Sequence, residues 1–78
     1  MTLTEKICRN IKEARLLKGL TQKEVAQKLY MSQQQYYRFE SGKFELNYNQ
    51  IYQLCKILDM TPNEFFEYDE RDEKIELE

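Results

Sequence analysis

The sequence predicts a small all-α domain built from five short helices. Apolar residues recur at intervals of three and four, and no stretch before residue 74 alternates polar and apolar residues over a useful length. Motifs that begin helices occur five times along the 78 residues. The chain has only two glycines and one proline, so Gly19, Gly42 and Pro62 mark boundaries between helices.

A capping motif marks the start of each predicted helix. In a capping box, the side chain of the capping residue accepts a hydrogen bond from the backbone N–H three positions on. The Glu or Gln side chain at that position accepts a bond from the backbone N–H of the capping residue. The pairs are Thr2 with Glu5, Thr21 with Glu24, Ser32 with Gln35, Asn47 with Gln50, and Thr61 with Glu64. Pro62 then occupies the first position of the last helix, where its missing N–H costs nothing. The predicted helices are 3–18, 21–29, 32–41, 47–58 and 61–67.

The apolar stripes of these helices define one candidate core. Its members are Leu3, Ile7, Ile11, Ala14, Val25, Ala26, Leu29, Tyr36, Phe39, Ile51, Leu54, Cys55, Leu58 and Phe65. Leu16 lies opposite the stripe of the first helix, so we expect it to be partly exposed. We interpret both cysteines, Cys8 and Cys55, as packing residues.

Residue usage argues against a catalytic, metal-binding or membrane protein. The chain has no histidine, and its two cysteines stand 47 positions apart, which matches no zinc spacing. We therefore expect no enzymatic activity, metal, cofactor or small-molecule ligand. No apolar run is long enough to span a membrane, and the N-terminus lacks the regions of a secretory signal. These features predict a reduced, cytoplasmic protein.

Charge is distributed unevenly although the net charge is only −2. Residues 1–43 contain nine lysines and arginines against four acids, whereas residues 67–78 contain seven acids against two bases. This asymmetry hints at nucleic-acid binding by the basic half, although solvated helix surfaces would give a similar composition. We divide the chain into a domain over residues 1–66 and an acidic tail over residues 67–78. The tail is either a solvated end or a strand or dimer contact through Ile75 and Leu77.

The connection between the second and third predicted helices points to a function. Only Tyr30 and Met31 separate them. A turn this tight between two short helices is typical of a helix-turn-helix, whose second helix enters the major groove of DNA.

The residues around this turn resemble the phage-repressor family (Cro/repressor-type, xenobiotic-response-element family) of helix-turn-helix domains. The resemblance is carried by residues 21–29 (TQKEVAQKL), 32–34 (SQQ) and 39–43 (FESGK), and covers residues 5–66. It implies a compact five-helix, lambda-repressor-like bundle whose helix-turn-helix is formed by helices 2 and 3. The chain departs from the family at Tyr30 and Asp59, where relatives often have glycine. A positive φ there would cost Tyr30 about 1 kcal/mol, whereas Asp tolerates it better.

The third helix carries the candidate base-reading residues. A helical wheel turns Gln33, Gln34, Tyr37 and Arg38 outward or to the exposed start of the helix. Family members read bases at the positions of Gln33, Gln34 and Arg38, and such side chains can bond adenine and guanine bidentately. Tyr37 could stack on a sugar, contact a thymine methyl group or bond a phosphate. Solvated capping residues are the alternative interpretation for the glutamines.

Phosphate contacts are expected on both sides of this helix. The resemblance implies a phosphate contact for Gln22, at the N-terminus of helix 2, where free N–H groups suit an anion. We expect Lys43, Asn47 and Tyr48 to meet the backbone of the opposite strand. The resemblance also implies a structural ion pair between two residues of helices 1 and 3, Arg15 and Glu40.

These features together predict a small transcriptional regulator, specifically a repressor, that binds double-stranded DNA. Helix 32–41 is its expected recognition helix. We expect it to bind an inverted repeat as a homodimer, since a monomer reads only a few base pairs. By resemblance, the protein is bacterial or phage-encoded. The alternative is an antitoxin-like or accessory protein-interaction module with the same fold.

Overall fold

The computed structural model describes residues 2–68, and this part of the chain forms five α-helices and no strands. The helices are α1 (Leu3–Leu17), α2 (Gln22–Lys28), α3 (Gln33–Glu40), α4 (Tyr48–Ile57) and α5 (Pro62–Phe66). The predicted all-α class is confirmed. The predicted bounds differ from the observed ones by at most one residue, because the predictions included the capping residues.

Four of these helices begin with a complete capping box. The hydroxyls of Thr2, Thr21 and Thr61 and the amide oxygen of Asn47 each accept a bond from the backbone N–H three residues on. In each case the Glu or Gln side chain at that position accepts a bond from the backbone N–H of the capping residue. At α3 only half of the predicted box forms. Ser32 Oγ accepts from the Gln35 N–H at 3.1 Å, without a return bond among the described residues.

All five helices end in the same backbone turn, in which a residue adopts the left-handed conformation. These residues are Gly19, Tyr30, Gly42, Asp59 and Glu67, with φ between 52° and 78°. In each turn, the N–H of the next residue donates to the carbonyl five positions back, as in Met31 to Ala26 (3.0 Å). The positive φ considered for Tyr30 and Asp59 is therefore present at both positions.

The core lies where the five helices meet. α2 and α3 pack against each other, α1 packs on α3 and α5, and α4 packs on α2 and α5. The buried apolar residues are Ile11, Val25, Ala26, Leu29, Tyr36, Phe39, Leu54, Cys55, Leu58 and Phe65. Among the described residues, the one charged residue classed as buried with them is Arg15.

Two predictions about α1 have different outcomes. Leu16 is 58% exposed, as expected from its place opposite the stripe. Leu3 was expected in the core but is 55% exposed. A helical wheel gives the direction of a side chain, but it does not show how far the neighbouring helices extend along α1. Cys55 is buried and Cys8 is half-buried, and burial raises the pKa of both thiols.

Candidate nucleic-acid interface

α3 presents a polar face to solvent and an apolar face to the core. Gln33, Gln34, Tyr37 and Arg38 are all exposed. At 100° per residue, these four positions span about 140° of the helix circumference, so they form one continuous surface. On the other side, Tyr36 and Phe39 are buried with their ring centroids 5.7 Å apart. The two aromatic residues therefore fix how the helix is rotated, and that rotation points the four polar side chains outward.

A buried ion pair holds the C-terminal end of α3 against α1. The Arg15 Nε and one Nη donate to the two carboxylate oxygens of Glu40, at 2.7 and 3.2 Å. Its other Nη donates to the carbonyl of Leu20 at 2.9 Å. The two side chains are only 9% and 4% exposed. Every charged oxygen of Glu40 thus meets a donor, which a buried carboxylate requires.

The electrostatic state of this cluster follows from its contacts. Burial by itself raises the pKa of Glu40, but the hydrogen bonds from Arg15 and other neighbours outweigh it, and the net pKa is lowered. The Glu40 hydrogen bond raises the pKa of Arg15. Burial, followed by the Glu40 carboxylate, raises the pKa of the Tyr36 phenol. The Tyr36 hydroxyl is buried and meets no hydrogen-bond partner among the described residues.

The expected phosphate-contacting residues lie on either side of α3 in the chain, and two of their side chains already have partners. Gln22, the first residue of α2, donates its amide Nε2 to Glu40 at 3.2 Å. Asn47 uses its amide oxygen to cap α4 at 2.8 Å. Lys43 and Tyr48 are exposed. The sequence pattern gave no sign of the bond from Gln22 to Glu40, because these residues are 18 positions apart.

A comparison with protein families matches residues 11–65 to the helix-turn-helix family of the Cro/C1 type. The chain belongs to this helix-turn-helix family. The matched residues run from the middle of α1 to α5, and the resemblance recognised in the sequence is confirmed. A search of curated proteins and a search of solved structures each found no match. The family is one of DNA-binding regulators, which makes the outer face of α3 the candidate nucleic-acid interface.

Several cations of this helix-turn-helix domain form ion pairs that sequence reasoning missed. Arg9 pairs with Glu67 at 2.6 Å, and Lys18 pairs with Asp59. Asn10 also donates to the Glu67 carboxylate at 3.2 Å. Part of the basic character of residues 1–43 is thus neutralised by acids that follow later in the chain. In contrast, Arg38 and Lys43 form no ion pair with any described residue.

Two further observations concern other kinds of site. No cluster of three or more acidic or cysteine side chains in residues 2–68 is arranged to hold a metal ion. Among the described helices, none has both the length and the apolar character needed to cross a membrane.

Acid is expected to destabilise the domain. The hydrogen bonds of the capping boxes lower the pKa of Glu5, Glu24 and Glu64 below 4.5, and that of Glu40 is lowered as well. A lowered folded-state pKa adds stability that is fully present above about pH 4.5 and is lost as the pH falls through the folded value. The urea midpoint should therefore be constant between pH 7 and 5 and drop by pH 3.

A matched variant tests whether the capping-box carboxylates cause the loss of stability in acid. Glu24→Gln keeps a side chain that can complete the capping box but cannot titrate. Its urea midpoint should fall less than that of the wild type between pH 5 and 3. A wild-type midpoint that is unchanged at pH 3, or an identical loss in both proteins, would contradict the assignment of the acid sensitivity to these carboxylates.

Proposed function

We propose that this chain is a sequence-specific double-stranded DNA-binding protein that represses transcription in the cytoplasm, with α3 in the major groove. The observation that carries this proposal is the exposed row of Gln33, Gln34, Tyr37 and Arg38 on the outer face of α3. A glutamine can bond adenine N6 and N7 together, and an arginine can bond guanine O6 and N7. The row therefore has the chemistry to distinguish base pairs.

Contacts to phosphates complete the proposed interface. On one side of α3, the start of α2 offers its backbone N–H groups near Gln22 to a phosphate. On the other side, Lys43 and the start of α4 contact phosphates of the opposite strand. Such contacts set the orientation of α3 without reading sequence. We propose a homodimer on an inverted repeat, because two-fold pairing doubles both the base contacts and the phosphate contacts.

Enrichment of genomic DNA fragments on the purified full-length protein, followed by sequencing, tests the function and the symmetry together. A recurring inverted repeat near promoters is the expected result. A recurring single half-site would keep the DNA-binding function and overturn the homodimer. Enrichment of no sequence at all would overturn sequence-specific binding and favour the protein-interaction module.

Removal of the acidic tail should strengthen binding to random DNA. Residues 69–78 lie outside the described residues, as do the proposed contacts of Ile75 and Leu77. Deletion of residues 68–78 removes six acids and two bases, which changes the net charge from −2 to +2. Acids near a phosphate-binding surface oppose its field within a Debye length of about 10 Å at 0.1 M salt. Affinity for a random duplex should therefore rise at low salt.

The same truncated protein distinguishes the two interpretations of the tail. A solvated tail leaves the oligomeric state unchanged in sedimentation experiments. A truncated protein that becomes monomeric, and loses affinity for its enriched sequence despite the more favourable charge, would instead make the tail a dimer contact. Circular dichroism of both proteins shows whether the helices are retained.

A further inference from the structure

Two connections in the domain have the same construction, but their left-handed residues have different surroundings. Tyr30 in the α2–α3 turn has φ 55°, and Asp59 in the α4–α5 turn has φ 52°. Each follows a buried leucine and precedes a methionine packed on the core. Asp59 pairs with Lys18, which directly follows α1. Tyr30 is 93% exposed, and its side chain has no polar partner among the described residues.

This arrangement leaves the identity of Tyr30 unexplained by the fold. A left-handed backbone is strained for a bulky residue, and glycine or asparagine adopts it more readily. Burial could offset that strain, but a side chain that is 93% exposed gains little from packing. Residues held in strained backbone conformations are concentrated at functional sites. We therefore expect the Tyr30 side chain to contact another molecule.

The position of Tyr30 limits what such a contact can be. It lies three residues before Gln33, so the two Cα atoms are at most about 11 Å apart. The major groove is about 12 Å wide, which places each wall about 6 Å from its centre. With Gln33 over the base edges, the Tyr30 side chain is within reach of the wall of the groove. The wall consists of sugar and phosphate.

We infer that Tyr30 is a DNA-backbone contact, whose hydroxyl donates a hydrogen bond to a phosphate beside the bases that α3 faces. This inference rests on the proposed function. The contact is independent of base sequence, because phosphates are the same at every position. It adds no positive charge, because a tyrosine side chain has no cationic form. It therefore strengthens binding to every duplex without changing the number of counterions released.

The test uses the full-length protein and a random-sequence duplex of about 20 base pairs, titrated by fluorescence anisotropy at several salt concentrations, so the operator need not be known. Tyr30→Phe removes only the hydroxyl and should weaken binding about three- to tenfold at every salt concentration. The slope of log affinity against log salt should stay unchanged. Tyr68→Phe is the matched control, because it removes the same atom from an exposed tyrosine after α5 and should bind as the wild type does.

A second variant separates the contact from stability. Tyr30→Gly suits the left-handed backbone and removes the whole side chain, so it should melt no lower than the wild type while losing at least as much affinity as Tyr30→Phe. Wild-type affinity in Tyr30→Phe would overturn the backbone contact and leave the proposed function intact. A loss confined to the enriched sequence would also overturn it, since that pattern indicates base reading. Failure of the wild type to bind any duplex would overturn both.

Discussion

Replacement of Arg15 by alanine is expected to lower the free energy of unfolding by about 3–5 kcal/mol. The substitution leaves the Glu40 carboxylate, whose side chain is 4% exposed, buried without its cationic partner. It also removes a donor from the carbonyl of Leu20, after the end of α1. A domain of this size has a total stability of about 4–12 kcal/mol, so the loss is a large fraction of it. Urea denaturation followed by circular dichroism measures the effect.

Two control variants distinguish this cost from a general sensitivity of the fold. Lys18→Ala breaks the pair with Asp59, whose two side chains are 38% and 74% exposed, and should cost less than about 1 kcal/mol. Tyr36→Phe removes a buried hydroxyl without a hydrogen-bond partner, so its cost should also be below about 1 kcal/mol. If Arg15→Ala instead melts like the wild type but no longer binds DNA, Arg15 is a DNA contact and its structural role is wrong.

Replacement of Gln33 or Arg38 by alanine is expected to reduce affinity for the enriched DNA sequence by about 1–3 kcal/mol each. Both side chains are exposed on the outer face of α3, so their removal leaves the core and its stability unchanged. Affinity for random DNA should change little, because the lost bonds are to base edges. Anisotropy titrations with the enriched duplex and a scrambled duplex of the same length measure the two effects.

Gln35 supplies the matched control for this experiment. It is an exposed glutamine on the same helix, but it lies outside the arc of about 140° formed by the candidate base-reading residues. Gln35→Ala should therefore keep the preference for the enriched sequence. Equal losses on the enriched and scrambled duplexes for Gln33→Ala and Arg38→Ala would show that these residues provide general contacts only.

The helix boundaries could be predicted from the sequence because the information is local. A capping box spans four residues, and each helix-ending turn spans six, so neither depends on the rest of the fold. The outward direction of Gln33 and Arg38 could also be predicted from the sequence, since the spacing of Tyr36 and Phe39 fixes the rotation of α3. What these side chains contact remains a prediction.

Features that depend on how helices meet could not be predicted in the same way. The pair of Arg9 and Glu67 joins residues 58 positions apart, and the pair of Lys18 and Asp59 joins residues 41 positions apart. Capping motifs and helical periodicity relate only residues that are close in the chain. These pairs arise instead from the packing of the α1 region on distant elements. Leu3 shows the same limit for apolar residues, since its exposure depends on where the neighbouring helices end.

The division of α3 into two sets of residues has an evolutionary consequence. Tyr36, Phe39 and Glu40 hold the helix in the fold, while Gln33 and Arg38 touch nothing that the core requires. Substitutions in the second set are thus close to neutral for folding, since exposed changes away from caps and cores alter stability by less than about 0.5 kcal/mol. If Gln33 and Arg38 read bases as proposed, a lineage of such proteins can exchange one DNA target for another through single mutations, without first accumulating stabilising changes elsewhere.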